Sequence, residues 1–168
     1  TGYQVNRILA FINPGKFADL NVQQDNSKMA IGSGMLYGKG LLNETAISVK
    51  NGNFLSEEHT DFIFAVIGEE LGLVGACIIM LIFAMLLVRG FWIALHARDR
   101  FGTLLVVGIM TQLGLQVFLN IAVVSGLVPA TGISLPFFSY GGTALALQLG
   151  EMGIVLSVSR QIPAPRNG

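Results

Sequence analysis

Charged residues are scarce in this sequence and very unevenly distributed. They make up 12% of the 168 residues, whereas hydrophobic residues make up 52%, and the mean hydropathy is +0.66. No Asp, Glu, Lys or Arg occurs at residues 71–88 or 101–150. Uncharged apolar stretches of this length are typical of membrane-spanning helices and exclude an ordinary soluble domain.

The low cysteine count and the absence of a net charge exclude two further properties. The single cysteine, Cys77, lies inside an apolar stretch, so no intrachain disulfide can form. The formal net charge is zero, so the chain lacks the positive excess that would indicate nucleic-acid binding.

The sequence also begins at Thr1 without a methionine or a signal-like segment, and we therefore expect it to be a piece of a longer protein.

The apolar stretches predict three membrane spans, at residues 62–88, 102–124 and 138–159. The uncharged stretch that begins at residue 101 is too long for one crossing, and we expect it to break in the segment SGLVPATGISLPFFSYGG (125–142), which contains two prolines and several glycines. The predicted fold class is all-α integral membrane, with a large loop at residues 1–61 followed by three transmembrane helices.

The orientation of the spans follows from the basic residues in the loops. Residues 89–101 contain three arginines, whereas the connection at 125–137 has no charged residue. Because short cytoplasmic loops are enriched in Lys and Arg, the first loop is expected to be cytoplasmic and the second extracytoplasmic. Residues 1–61 are then extracytoplasmic, and the tail at 160–168 is cytoplasmic.

The outer segment contains two local patterns. Residues 7–20 predict a short amphipathic helix broken at Pro14, able to lie along the membrane surface. The segment AIGSGMLYGKG (30–40) predicts a glycine-rich turn, since four glycines permit tight turning and close approach of this backbone to some other group. A flexible connecting turn explains the same glycines equally well.

The predicted spans also carry polar residues. Gln112, Gln116 and Asn120 recur at intervals of four, which predicts one inward-facing polar side of a helix. Hydrogen bonding between helices is the preferred interpretation for the two glutamines. Glu151 is an ionisable group inside a span and is therefore a candidate functional residue. Three helices cannot enclose these polar faces, so we expect partner helices.

Five carboxylates surround the start of the first span, in SEEHTDFIFAVIGEELG (56–72). Acidic residues in the first turn of a helix complement its dipole, which explains Glu57 and Glu58. The same dipole lowers the basicity of Asp61. Glu69 and Glu70 lie about two turns further along and point about 100° apart. One is expected to pair with a buried helix end and the other to face a cavity.

Three segments together resemble the signature segments of the SEDS proteins, the FtsW, RodA and SpoVE family. They are AIGSGMLYGKG (30–40), FLSEEHTDFIFAVIGEELGLVG (54–75) and TGISLPFFSYGGTALA (131–146). The resemblance covers essentially the whole chain and is slightly closer to the FtsW and SpoVE branches. Ser56 departs from it where the family commonly has proline, and Met35 departs where many members have glycine. It implies a fragment of a roughly ten-helix polytopic bundle in the bacterial plasma membrane.

The resemblance implies a peptidoglycan glycosyltransferase that polymerises lipid II at the outer membrane face for division, shape or sporulation, with a class B penicillin-binding transpeptidase as partner. Asp61 matches the essential aspartate of the family, as a general base or as a ligand of a divalent cation such as Mg²⁺ or Mn²⁺. The isolated 168 residues are expected to be inactive. Substrate contacts are predicted for Gly32, Ser33, Gly34, Lys39, Glu70, Ser139, Tyr140 and Glu151.

Two other functions stay open. A flippase or transporter of the lipid-linked precursor would also have polar residues facing a membrane cavity, and a scaffold for a transpeptidase would need the helices without Asp61. A transporter needs ionisable groups through the midplane. Asp61 is predicted at the outer face, Glu69 and Glu70 at an intermediate depth, and Glu151 inside a span. The distribution favours the enzyme.

Overall fold

The structure, a computed structural model, describes residues 18–40, 61–139 and 141–162. Regular secondary structure in these residues is entirely helical, with α1 (Ala18–Gly34), α2 (Ile63–His96), α3 (Arg100–Val124) and α4 (Gly142–Arg160). The last three helices are each long and apolar enough to cross a membrane. They coincide in number and order with the predicted spans, although their ends differ.

Helix α2 is longer than predicted at its C-terminal end. It continues through residues that were assigned to a cytoplasmic loop, so the connection to α3 shrinks from 89–101 to 97–99. Side chains one turn apart stabilise this extension, since the Arg89 guanidinium lies 5.2 Å from the centre of the Trp92 ring and the His96 ring stacks on Trp92 at 4.3 Å. An arginine does not end a helix, so the change of charge was a poor boundary signal.

The boundaries of α3 and α4 have local causes. Asp99 caps α3 because its carboxylate accepts a hydrogen bond of 2.9 Å from the Gly102 N–H, so the helix begins before residue 102. Helix α4 begins at Gly142 rather than at residue 138, because the preceding residues form a turn in which Phe137 has a φ of +65°.

Helix α1 also differs from the prediction, because it extends into the segment expected to form a glycine-rich turn. It occupies Ala18–Gly34, so the glycine-rich segment begins as a helix and turns only at residues 35–40. Most of the amphipathic helix predicted at 7–20 lies outside the described residues.

Polar contacts dock α1 on the end of α3. Gln24 Nε2 donates hydrogen bonds of 2.9 and 2.8 Å to the carbonyls of Val123 and Val128, and Ser27 Oγ donates one of 3.0 Å to the Val124 carbonyl. The last carbonyls of a helix have no partners within it, so α1 serves as a cap for α3. Three of its buried side chains, Gln24, Asn26 and Ser27, are polar, so no continuous apolar stripe marks this helix in the sequence.

Apolar packing joins the helices in two clusters. The first lies among α1, the N-terminal part of α2 and α3, and includes Ala30, Phe64, Phe83, Leu113 and Val117. The second lies where α2, α3 and α4 meet, and includes Ala94, Val106, Met110, Val155 and Val158. The most apolar 18-residue stretches of α2, α3 and α4 are only 17%, 33% and 11% buried inside the chain. These surfaces suit contact with lipid or with further membrane helices.

Candidate active site

Asp61 lies immediately before α2, and its backbone is fixed by a side chain from another helix. Its carbonyl accepts a hydrogen bond of 2.8 Å from Asn120 Nδ2. Its side chain is half-buried and lies against Gly132, where a Cβ would be 3.5 Å from Asp61 Oδ2. The candidate carboxylate therefore lies between the start of α2 and the connection from α3 to α4.

Asn120 joins three parts of the structure. It is 1% exposed, and its Nδ2 donates a second hydrogen bond of 2.8 Å to the Ile133 carbonyl. The start of α2, the end of α3 and the following connection thus meet at one amide group. Of the predicted polar face, only Asn120 is buried in this chain, while Gln116 is half-buried and Gln112 is exposed. The sequence marked this face but not the link between Asn120 and Asp61.

The connection at residues 125–141 is held over the membrane helices by specific contacts. The Phe137 N–H donates a hydrogen bond of 2.9 Å to Gln148 Oε1 on α4, and the Phe138 ring packs at 6.1 Å against Phe83 of α2. These contacts supply partners for a segment whose backbone is otherwise irregular.

Ser139 belongs to the turn that precedes α4. Its N–H and its hydroxyl donate hydrogen bonds of 3.2 and 2.9 Å to the same Leu135 carbonyl. The hydroxyl therefore already has a structural role, and its predicted substrate contact stays a prediction. Tyr140 lies outside the described residues.

The glycine-rich turn enters a break in α2. Gly72 has a φ of +68° and interrupts the helix, so the usual bonds from residues 73 and 74 to the carbonyls of Glu69 and Glu70 are not made. Those carbonyls instead accept hydrogen bonds from the N–H groups of Lys39 (2.9 Å) and Gly40 (3.0 Å). The freed N–H groups donate to the turn, from Leu73 to the Met35 carbonyl (2.9 Å) and from Val74 to the Leu36 carbonyl (3.2 Å).

Glycine is required at three points of this contact. A Cβ on Gly34 would overlap the Gly68 carbonyl oxygen, and one on Gly38 would overlap the Glu70 carbonyl oxygen. A Cβ on Gly72 would overlap the Gly38 nitrogen. The glycine-rich segment thus approaches another group closely, and the structure identifies that group as the backbone of the interrupted α2, which the sequence did not specify.

A buried ion pair lies beneath the same turn. Lys39 Nζ is 2.8 Å from Glu69 Oε1, and the side chains of Lys39 and Glu69 are 24% and 2% exposed. Glu69 therefore pairs with a lysine side chain rather than with the helix end expected for one of the two glutamates, and the predicted substrate contact of Glu70 stays a prediction. Which of two adjacent residues faces the interior depends on the rotation of the helix, which spacing alone does not define.

The remaining predicted residues are spread over the structure. Glu70 is half-buried beside the ion pair, and Glu151 is half-buried in α4. Gly32 and Ser33 lie in the last turns of α1, where the Ser33 hydroxyl donates a hydrogen bond of 2.8 Å to the Ala30 carbonyl. Glu69 follows Asp61 by about 12 Å along the helix axis, at 1.5 Å per residue. The candidate site thus has two parts, one at Asp61 and one at the α2 break.

The donor set for a metal is limited. Within residues 18–40, 61–139 and 141–162, no group of three or more His, Cys, Asp or Glu side chains is arranged to hold a metal ion. A divalent cation at Asp61 would therefore need ligands from outside these side chains, such as the phosphates of a substrate.

Comparisons with known proteins identify relatives of this chain. It is 45% identical over 159 residues to stage V sporulation protein E of Bacillus subtilis, covering 94% of this chain and 42% of the relative. It is 45% identical over 161 residues to the probable peptidoglycan glycosyltransferase FtsW of Geobacter metallireducens, covering 95% and 42%. It is also 45% identical over 159 residues to the peptidoglycan glycosyltransferase MrdB of Escherichia coli K12, covering 93% and 42%.

These identities have two consequences. They are equal across the three relatives, so they do not support the slight preference for the FtsW and SpoVE branches. The chain also spans about two fifths of the length of the curated relatives that it matches.

Solved structures show the same fold. A chain from a study of the structural coordination of polymerisation and crosslinking by a peptidoglycan synthase complex matches with a TM-score of 0.71 and 30% identity, covering 96% of this chain and 43% of that one. The Thermus thermophilus rod shape determining protein RodA, solved as an aspartate-to-alanine variant, matches with a TM-score of 0.59 and 39% identity, covering 64% and 36%. The predicted all-α membrane class is therefore confirmed.

The family itself is shown by a match that spans most of the chain. Residues 1–163 match the family model FTSW_RODA_SPOVE, described as cell cycle protein. The predicted resemblance is confirmed: this chain belongs to the FtsW/RodA/SpoVE family.

Proposed function

We propose that the full-length protein containing this sequence is a peptidoglycan glycosyltransferase that polymerises lipid II at the outer face of the bacterial plasma membrane. The observation that carries the proposal is the fixed position of Asp61, held by Asn120 between the start of α2 and the connection at 125–141. The names of the FtsW and MrdB relatives support the same reaction class.

Asp61 acts as the general base in this reaction. The acceptor sugar hydroxyl forms a new bond to the anomeric carbon of the donor, and its proton passes to the Asp61 carboxylate. The bond between that carbon and the lipid diphosphate breaks, and the diphosphate leaves with the bonding electrons. General bases of this kind contribute on the order of 10²- to 10⁴-fold to the rate. A divalent cation, Mg²⁺ or Mn²⁺, would neutralise the leaving diphosphate.

The distribution of acidic groups favours an enzyme over a transporter. The part of α2 after Gly72 is about 36 Å long at 1.5 Å per residue, which is enough to cross a hydrocarbon core of about 30 Å. Asp61 and the Lys39–Glu69 pair precede this part, so they belong to the outer edge of the membrane rather than to its midplane. Residues 1–61 are extracytoplasmic and the C-terminus is cytoplasmic in this arrangement.

A transpeptidase is the natural partner of such an enzyme. A polymer of lipid II units still requires crosslinking, and the peptidoglycan synthase complex with the same fold is described as coordinating both steps. We therefore include a class B penicillin-binding protein as the partner. Further membrane helices would cover the exposed faces of α2, α3 and α4.

The test is polymerisation of lipid II in liposomes by the full-length protein with its transpeptidase partner. Asp61→Asn removes the base and retains the shape of the side chain, so polymer should be lost while lipid II binding persists. Asp25→Asn is the matched control, since Asp25 is an exposed carboxylate on α1 whose side chain is 62% exposed. Normal polymer synthesis by Asp61→Asn would refute the assignment and favour transport or scaffolding.

A further inference from the structure

The break in α2 is maintained by hydrogen bonds to the turn at residues 35–40, which replace the bonds that a continuous helix would make. In a continuous helix, the N–H groups of Leu73 and Val74 would bond to the carbonyls of Glu69 and Glu70. Here all four groups bond instead to the turn at residues 35–40. Docking of the turn and closure of the helix therefore exclude each other. Gly72 permits both backbone conformations, since glycine adopts positive and negative φ with similar ease.

The Lys39–Glu69 ion pair joins the turn to the interrupted α2. Lys39 lies on the turn, and Glu69 is the residue of α2 whose own carbonyl accepts the Lys39 N–H. Glu69 is 1% exposed, so loss of Lys39 would leave a buried charge without this partner. Removing one member of a buried pair is strongly unfavourable, whereas an exposed pair such as Lys28–Asp25 contributes little.

The segment of α2 before the break connects this pair to Asp61. Residues 63–71 form about two and a half turns of continuous helix between Asp61 and the break. Asn120 holds the beginning of the segment through the Asp61 carbonyl, and the turn holds its end at Glu69 and Glu70. A change at the break would tilt the segment and displace Asp61.

We infer that Lys39 and Glu69 are positioning residues, which keep α2 open at Gly72 and thereby set the position of Asp61 for glycosyl transfer. This inference rests on the proposed function. It assigns Lys39 a role different from its predicted contact with the substrate, because its ammonium group already compensates the buried Glu69 carboxylate.

The test uses the double variant Lys39→Met/Glu69→Gln in the full-length protein with its transpeptidase partner. This variant removes the ion pair without leaving a buried charge, so the protein should stay folded. The kcat for lipid II polymerisation should fall roughly 10- to 100-fold with KM nearly unchanged, as expected for a displaced catalytic group. The control is Lys28→Met/Asp25→Asn, which removes the exposed ion pair from α1 and should change neither constant.

Hydrogen exchange gives a second readout that does not depend on activity. In the Lys39→Met/Glu69→Gln variant, the amides at residues 39–40 and 73–74 should exchange about tenfold faster or more, while those in the middle of α3 should not change. A kcat within about twofold of the unmodified protein, or unchanged exchange at these amides, would overturn the inference.

Asp61→Asn separates this inference from the proposed function. If the unmodified protein polymerises lipid II and Asp61→Asn does not, the proposed function holds whatever the double variant does. If the unmodified protein makes no polymer under these conditions, the proposed function fails. The exchange measurement then still decides whether Lys39 and Glu69 hold the break open.

Discussion

Replacing Gly34 with alanine should separate α1 from α2, whereas the same change at Gly32 should not. Both residues lie near the C-terminal end of α1, and alanine is favoured over glycine in helices by about 0.5–1 kcal/mol. A Cβ on Gly32 would meet no atom within 4 Å. Gly32→Ala should therefore leave the protein equally stable or slightly more stable.

At Gly34 the steric cost exceeds this gain. The new Cβ would overlap the Gly68 carbonyl oxygen and lie 2.9 Å from the Gly68 carbonyl carbon and 3.0 Å from the Glu69 Cα. All three are backbone atoms, so no side chain can move aside to relieve the overlap. Overpacking of this kind costs about 1–3 kcal/mol. We expect Gly34→Ala to reduce the free energy of unfolding by about 1–2 kcal/mol after the helix preference is subtracted.

The assay is denaturant unfolding in detergent micelles, with hydrogen exchange at residues 35–40 as a local readout. Gly34→Ala should speed exchange in the turn and Gly32→Ala should not. Equal stability and equal exchange of the two variants would refute the close contact between α1 and α2. The same pair tests the predicted substrate contact at Gly32, because a raised KM in the stable Gly32→Ala variant would support that contact.

Two further predictions concern the side chains that hold the site. Asn120→Leu removes two buried hydrogen bonds, so it should lower the free energy of unfolding by about 1–3 kcal/mol and reduce polymerisation. The control is Gln112→Leu, which changes an exposed residue and should have little effect on either property. Equal effects of the two variants in unfolding and polymerisation assays would contradict this prediction. Gln148→Leu removes the acceptor of the Phe137 N–H, so it should accelerate hydrogen exchange at residues 133–139 while the free energy of global unfolding changes little. Unchanged exchange at these residues would show that this bond does not hold the connection.

Motif spacing located the parts of the site better than it located their contacts. The HTDFIF and LPFFSYGG segments directed attention to Asp61 and to the connection at 125–141, which do lie together in the structure. The contact between Asn120 and Asp61 spans 59 residues of sequence. No local pattern predicts such a pairing, because it depends on how α2 and α3 pack.

The errors at the helix ends have a related origin. Charge predicts that α2 ends before Arg89, but Arg89 continues the helix and contacts Trp92 one turn later. The turn at Phe137 moves the start of α4 to Gly142. Phe137 has a positive φ, which the sequence does not predict because such angles are usually found at glycine. No apolar stripe predicts helix α1, because Gln24, Asn26 and Ser27 are polar although they are buried.

The order of residues is enough to predict an all-α membrane protein with three apolar helices that are preceded by a glycine-rich segment. Hydrophobic length and the conformational freedom of glycine are local properties, so they can be deduced from the order of residues. The pairing of Glu69 with Lys39, and the turn that completes the hydrogen bonds of a broken helix, follow only from the packing of the helices. Both facts depend on the rotation of α2 and on a partner segment about 30 residues away, which local sequence patterns do not specify.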